Sequence, residues 1–190
     1  MDRRVVRTRQ QLRGALTELL KTKSVQDITV CELADKVDIS RGTFYLHYKN
    51  VFDMLEKIEQ EMLEELATTI RDVPIGTREQ PFSLVSPCYQ FFAQHAELTT
   101  VLMGPHGDWG FFRRAGHLIK ARSLNDWKIL YPELTPKMTD YLFSFIFGGS
   151  LHMMEVWMIG GQKETPEQMA EYTRQLVAKG VAAISENALL

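Results

Sequence analysis

Hydrogen-bonding side chains of different reach lie close together in one short segment of the sequence. They are Arg41, Thr43, Tyr45 and His47, with Gly42 between the first two. Carried on the exposed surface of a helix, such groups can contact base edges and phosphates, and the glycine lets a backbone approach closely. The alternative is an ordinary helical hairpin with a polar outer face.

Two short helices are predicted to position this segment. Thr29 is an N-cap candidate, and Glu32 completes a capping box three residues later, ahead of a helix of barely two turns. Ser40 is the next N-cap candidate; the helix that follows it, to about residue 48, buries Phe44 and Tyr48 one turn apart. This pattern is typical of a helix-turn-helix, whose second helix fits a DNA major groove about 12 Å wide.

The rest of the chain also follows the helical period, and the alternation of β-strands is missing. We predict a first helix over about 3–23 and an amphipathic helix from near Val51 to a stop at Val73-Pro74. Its outward side chains are Glu56, Glu59, Glu61, Glu64 and Glu65. Further helices are predicted at about 81–93, 96–103, 109–130, 136–160 and 166–186. The fold class is therefore all-α, with about nine helices.

Charge is unevenly distributed along the chain. The 190 residues include 22 Lys+Arg and 24 Asp+Glu, for a net charge of −2. Residues 1–50 hold ten basic and six acidic side chains, a balance of +4, which leaves 12 basic and 18 acidic groups in the other 140, a balance of −6. This indicates a basic N-terminal part followed by an acidic remainder of the chain, or else the ordinary scatter of charged residues on a surface. The 45% hydrophobic content excludes a disordered chain.

The compartment is predicted from cysteine usage and apolar runs. Cys31 and Cys88 lie 57 positions apart, a spacing that fits neither a redox pair nor a zinc site and points to a reducing cytoplasm. The basic N-terminal residues lack the apolar run of a secretory signal. The apolar stretch 141–154 has 14 residues where a membrane span needs about 20, so we expect a buried core helix.

The segment 28–50 resembles the DNA-binding domain of TetR-family transcriptional regulators. The resemblance lies in ITVCELA at 28–34 and SRGTFYLHYKN at 40–50, with Thr8, Arg9, Leu12 and Ala15 similar to the family's first helix. It is specific over about residues 5–60. Within the family, the chain is most similar to a subgroup that includes the regulators of dihydroxyacetone kinase operons.

The resemblance implies two domains and a set of DNA contacts. Residues 1–50 would form the helix-turn-helix DNA-binding domain, and residues 51–190 the helical regulatory domain for ligand binding and dimerisation. The residues that the family pattern places at the DNA are Thr29, Arg41, Gly42, Thr43, Tyr45, His47 and Lys49. Many members open the fourth helix with a lysine that contacts phosphate; this chain has Val51 there, and Lys49 is the candidate substitute.

The regulatory domain is expected to bind a small apolar or amphipathic effector between its helices, as family members commonly do. The candidate ligand-binding residues are Phe91, His95, Phe112, His117, Trp127, Tyr131, His152 and Glu155. The alternative for the aromatic residues is a plain hydrophobic core, and for each histidine a ring satisfied by a backbone carbonyl. No metal or other cofactor is expected.

The last two helices are predicted to form a dimer interface, with small residues for close approach and apolar residues for burial. On the first helix these are Phe145, Gly148, Gly149, His152 and Val156; on the second they are Met169, Tyr172, Leu176 and Val177. The expected product is a four-helix bundle across a two-fold axis, and the alternative is that these faces close the monomer's own core. The two DNA-binding domains of a dimer on a palindromic operator need recognition helices about 34–36 Å apart.

Catalysis is not expected. His152 and Glu155 have the spacing of two metal ligands on one helix, but no second cluster, nucleophile elbow or phosphate-binding glycine loop accompanies them. We therefore predict a cytoplasmic, ligand-responsive repressor that acts as a homodimer on double-stranded operator DNA. The alternatives are an activator or coregulator of the same fold that works through protein partners.

Overall fold

The computed structural model describes residues 3–78, 80 and 82–186, and their side chains as far as residue 177. Over these residues the chain forms nine α-helices and one 3₁₀ turn at Val25–Asp27, with no strand. The helices are α1 (Arg3–Leu20), α2 (Val30–Lys36), α3 (Arg41–Tyr45), α4 (Val51–Arg71), α5 (Val85–Gln94), α6 (Ala96–Met103), α7 (Trp109–Leu130), α8 (Pro136–Ile159) and α9 (Pro166–Glu186). The predicted all-α fold is confirmed.

Several helices are shorter than their apolar patterns suggest. α1 ends at Leu20, and α3 ends at Tyr45 because the chain tightens there into a turn. The N–H groups of His47 and Tyr48 both donate to the carbonyl of Phe44, at 2.9 and 3.0 Å. This turn keeps Tyr48 on the buried side, so the burial of Phe44 and Tyr48 does not require a longer helix.

The chain divides into two compact units. The first unit is Met1–Glu65 with Glu97–Phe112, and the second unit is Leu66–Ala96 with Arg113–Leu190. All three boundaries between the units fall inside helices, and α4 begins in the first unit and ends in the second. The functional division into domains 1–50 and 51–190 stays a prediction.

The first unit has a core of aliphatic and aromatic side chains. Its most buried side chains include Leu12, Leu16, Leu33, Phe44 and Met54, all within 1% of full burial. Glu59 of α4 is also buried, at 4% exposure, so the prediction that it faces outward is wrong. The apolar period of α4 sets which residues share a face, but packing of other helices against α4 decides how wide the covered face becomes.

The second unit has an aromatic core. Phe82, Trp127, Phe143, Ile146 and Val177 form one buried cluster. The Trp127 ring lies edge-on to Phe82 with centroids 6.1 Å apart, an arrangement that favours aromatic pairs. A buried hydrogen bond of 2.9 Å between Tyr89 and Thr173 also links α5 to α9.

Helix α8 is buried on one face only. By length and composition alone it is the one helix in the described part of the chain that could cross a membrane, which is weak evidence. Only a third of its apolar window is buried, so the predicted core helix is confirmed for one face and wrong for the other. The exposed apolar side chains of α8 are Tyr141, Phe145, Val156 and Ile159.

Candidate nucleic-acid interface

Helix α2 begins with the capping box that the sequence predicted. The Thr29 hydroxyl accepts from the Glu32 N–H at 3.2 Å, and Glu32 Oε2 accepts from the Thr29 N–H at 2.9 Å. Lys23 forms an ion pair with the other carboxylate oxygen. The hydrogen bond from Lys23, followed by those from Thr29, lowers the pKa of Glu32 to about 2. Both polar groups that Thr29 offers to a phosphate are therefore engaged within the capping box.

A tight turn and a second cap place α3. Asp38 adopts a φ of 55°, in the left-handed region that Asp and Asn enter more readily than most residues. Ser40 Oγ then accepts from the Thr43 N–H at 3.0 Å, so the predicted N-cap is confirmed. The rings of Phe44 and Tyr48, 5.7 Å apart and at most 3% exposed, anchor the helix from beneath.

Anchoring from one side leaves the other side of α3 in solvent. Arg41, Gly42 and Tyr45 are exposed, and the Tyr45 ring is 57% accessible. Thr43 and His47 are half-buried. Thr29, which precedes α3 in the sequence, and Lys49, which follows it, are exposed. The structure thus carries five of the seven predicted DNA contacts on α3 and the turn after it.

Cys31 lies beside this surface although the sequence pattern did not single it out for contact. Its Sγ accepts a hydrogen bond from Arg41 Nη2 at 3.0 Å. The contact ties the start of α3 to the first turn of α2, where Thr29 is the cap. A side chain on α2 therefore orients one of the predicted DNA-contacting groups.

The turn into α4 has its own reciprocal cap. Asn50 Oδ1 accepts from the Asp53 N–H at 2.8 Å, and Asp53 Oδ2 accepts from the Lys49 N–H at 2.9 Å. The bond from Lys49, followed by one from Lys57, lowers the pKa of Asp53. Val51, where many family members have lysine, is 4% exposed and is part of the core. The N-x-x-D spacing at 50–53 is a sequence signal for this cap that the predicted helix starts did not include.

Four of the eight predicted ligand-binding residues form two pairs in the second unit. Tyr131 packs against the cluster that contains Trp127, and its N–H donates to the Trp127 carbonyl at 2.7 Å. The rings of Phe91 and His95 lie 4.8 Å apart on α5 and at its C-cap. These pairs place aromatic and polar groups next to the apolar interior.

The other four candidates lie elsewhere. Phe112 is buried in the first unit, against Trp109. His117 and His152 are exposed, and the His152 Nδ1 lies 2.9 Å from the Gly148 carbonyl oxygen of the preceding turn. Glu155 is half-buried on α8. The ligand set remains a prediction, with Trp127 and Tyr131 as its centre.

Comparisons with known proteins agree with this architecture. Residues 79–179 match the TetR C-terminal family model, described as a transcriptional regulator C-terminal region. An uncharacterized HTH-type transcriptional regulator, YxbF of Bacillus subtilis (strain 168), is 30% identical over 110 residues. That match covers 54% of this chain and 28% of the relative, so the match spans little more than a quarter of the relative's length.

Solved structures show the same fold. The fatty acid degradation regulator FadR from Bacillus halodurans has a TM-score of 0.70 at 18% identity, over 91% of this chain and 95% of that one. FadR from Bacillus subtilis, in complex with stearoyl-CoA, has a TM-score of 0.61 at 17% identity, over 90% and 98%. The family match covers more than half of the chain, and the chain therefore belongs to the TetR family of transcriptional regulators.

Proposed function

We propose that this regulator is a ligand-responsive repressor that binds a palindromic DNA operator as a homodimer. The observation that carries the proposal is the two-sided recognition helix. Phe44 and Tyr48 are buried beneath it, while Arg41 and Tyr45 are exposed on its other side, in the basic part of the chain. Exposed polar groups on a helix narrow enough for the major groove supply base contacts. The basic side chains of residues 1–50 attract the DNA phosphates.

Homodimerisation is supported by the apolar surface of the last two helices. Phe145 and Val156 on α8 are 76% and 73% exposed, and Leu176 on α9 is 66% exposed. A Cβ atom added at Gly148 or Gly149 would meet nothing within 4 Å, which leaves room for another helix to approach. Met169 and Val177, also expected in the interface, are instead buried within the chain. A two-fold interface would cover the remaining apolar side chains.

The proposed effector is a small apolar or amphipathic molecule bound in the second unit. The aromatic cluster around Trp127 offers apolar contacts. The half-buried Tyr131 offers a hydroxyl oxygen that can accept a hydrogen bond while its O–H donates to the Arg78 carbonyl at 3.4 Å. The Bacillus subtilis regulator FadR was solved with stearoyl-CoA, which is consistent with an effector that has a long apolar part. The similarity to regulators of dihydroxyacetone kinase operons remains a prediction.

The proposed signal path is helix α4, which begins in the first unit at the end of the recognition segment and finishes in the second. Just after its end, Arg122 of α7 donates to the Val73 carbonyl at 2.6 Å. An effector that displaced α7 would pull on this contact. The population of dimers would then shift away from the conformation in which both DNA-binding domains fit the operator.

The experiment that tests DNA binding is selection of bound duplexes from a random pool at fixed salt. We expect a palindromic consensus with half-sites about one helical turn apart. Thr43→Ala and Tyr45→Ala should each cost on the order of 1–3 kcal/mol of operator binding and leave dimerisation unchanged. Absence of a consensus, or binding that does not weaken steeply with salt, would favour the alternative of a protein-binding coregulator.

Two further measurements separate the remaining parts of the proposal. In vitro transcription from a promoter that carries the consensus distinguishes a repressor from an activator by the sign of the change. Residues 1–50 contain no tryptophan, so intrinsic emission reports on an effector bound to the rest of the chain. A panel of fatty acids and acyl thioesters that altered neither emission nor operator affinity would contradict the proposed effector class. A cytoplasmic location belongs to the same proposal, since the operator lies there.

A further inference from the structure

Lys57, on the second turn of α4, contacts three groups at the end of the recognition segment. Its Nζ donates to the main-chain oxygen of His47 at 3.3 Å and to Asp53 Oδ2 at 3.0 Å. The same ammonium group lies 5.5 Å from the centroid of the Tyr48 ring. One side chain thus meets a backbone carbonyl, a carboxylate and an aromatic face, and each of these favours a cation.

Two of these groups control the turn that carries a predicted phosphate contact. Asp53 Oδ2 also accepts from the Lys49 N–H at 2.9 Å, so the carboxylate is shared between Lys49 and Lys57. Tyr48 is held from its other end, because Arg9 Nε lies 3.4 Å from its hydroxyl. Lys57 completes a set of contacts that fixes residues 47–49 on α4.

The charge of Lys57 has a second effect. An ionised Asp53 beside the recognition segment would repel a polyanion, and Lys57 supplies the balancing charge. Val51 is buried and apolar and cannot bind a phosphate, so any phosphate contact at this turn depends on the direction of the Lys49 side chain.

We propose that Lys57 is a positioning residue for DNA recognition. Through Asp53 and the His47 carbonyl it fixes the turn after α3 and directs His47 and Lys49 toward the operator. This inference rests on the proposed function of operator binding. In this role Lys57 acts through other residues and makes no contact to DNA of its own.

The first test compares Lys57→Met with the wild-type chain on the selected operator. Methionine keeps most of the apolar stem and removes the ammonium group, and the side chain is 46% exposed, so the variant should fold. We expect operator affinity to fall about tenfold, the order of effect of one lost base contact. Lys163→Met, an exposed lysine of the second unit, is the matched control for loss of one charge and should have little effect.

The salt dependence separates positioning from direct contact. Loss of one phosphate contact lowers the slope of log affinity against log salt by about one. If Lys57 acts through Lys49, the variant Lys49→Met and the double variant with Lys57→Met should each lose about one unit of slope. A loss of about two units in the double variant would show that Lys57 contacts a phosphate itself and would overturn the proposal.

The variant Asp53→Asn separates the positioning role from a simple effect of net charge. Removal of an acidic charge should strengthen binding if only net charge matters. The neutral amide oxygen, however, accepts from the Lys49 N–H and from Lys57 less strongly than the carboxylate does, which should weaken binding if the turn must be fixed. We expect weaker binding. A wild-type chain that selects a consensus, with Lys57→Met and Asp53→Asn both unchanged, would contradict the positioning role alone. A wild-type chain that selects none would contradict the proposed function itself.

Discussion

Arg41 of α3 donates a hydrogen bond to the sulfur of Cys31 on α2, with Nη2 and Sγ 3.0 Å apart. The sulfur is itself 3.5 Å from a carboxylate oxygen of Asp35. The guanidinium group is therefore held beside α2 before any DNA is present. Its direction depends on a small side chain that makes no predicted DNA contact.

Modification of Cys31 should weaken operator binding. A methyl disulfide formed there with a methanethiosulfonate reagent would occupy the space beside Arg41, and we expect about a tenfold loss of affinity, as for one displaced base contact. Cys88 is the internal control: burial raises its pKa to about 12, so very little of it is the reactive thiolate at pH 8. Gel-shift titration after brief treatment provides the measurement. An equal loss in treated Cys31→Ser would show that another residue is responsible.

Charge placed on the exposed faces of α8 and α9 should separate the proposed dimer. Phe145→Glu and Leu176→Glu each put like charges on both sides of a two-fold interface and remove apolar contact area. We expect sedimentation at a protein concentration where the wild-type chain is dimeric to show monomers. Ile75→Glu, at an apolar site 43% exposed outside these helices, is the matched control. Unchanged dimers in both α8 and α9 variants would rule out this surface.

The capping box should give the first unit a pH-dependent stability. The pKa of Glu32 is lowered to about 2 by Lys23 and Thr29, below the value of about 4.3 expected in an unfolded chain. Its contribution is therefore fully present above about pH 4.3 and is lost as the pH falls toward 2. Glu32→Gln should lower the urea midpoint at pH 7, and the difference from wild type should shrink at pH 2. A constant difference across this range would contradict the linkage.

The Arg122–Asp126 pair should matter more than an exposed ion pair of the same unit. Asp126 is 3% exposed, and Arg122 also donates to the Val73 carbonyl after α4. Asp126→Ala should lower the free energy of unfolding by on the order of 3 kcal/mol, because it leaves a largely buried guanidinium without its carboxylate.

The control for this pair is Asp140→Ala, which breaks the more exposed pair with Lys120 and should cost less than about 1 kcal/mol. Urea unfolding measures both. The double variant Arg122→Met with Asp126→Leu should recover part of the loss, since neither charge is then left alone. Equal losses for Asp126→Ala and Asp140→Ala would argue that burial does not set the strength of the first pair.

The sequence by itself determined the helices and the caps of the recognition segment. Thr29 with Glu32, and Ser40 with Thr43, act over three residues, so their hydrogen bonds form wherever a helix begins at those positions. The burial of Phe44 likewise follows from the helical period, which needs only local spacing. Family membership was readable from the same segment, because its residue types and spacing are specific.

Tertiary structure alone decided the pairings between distant residues and the depth at which charged groups lie. Arg122 meets Val73 across 49 positions, Arg41 meets Cys31 across ten, and Glu59 is buried despite its acidic side chain. The exposure of His117 and His152, both proposed for the ligand site, was equally unreadable. Helical periodicity tells which residues share a face, but the neighbour that covers that face depends on how the helices pack, and packing is set by contacts far apart in the chain.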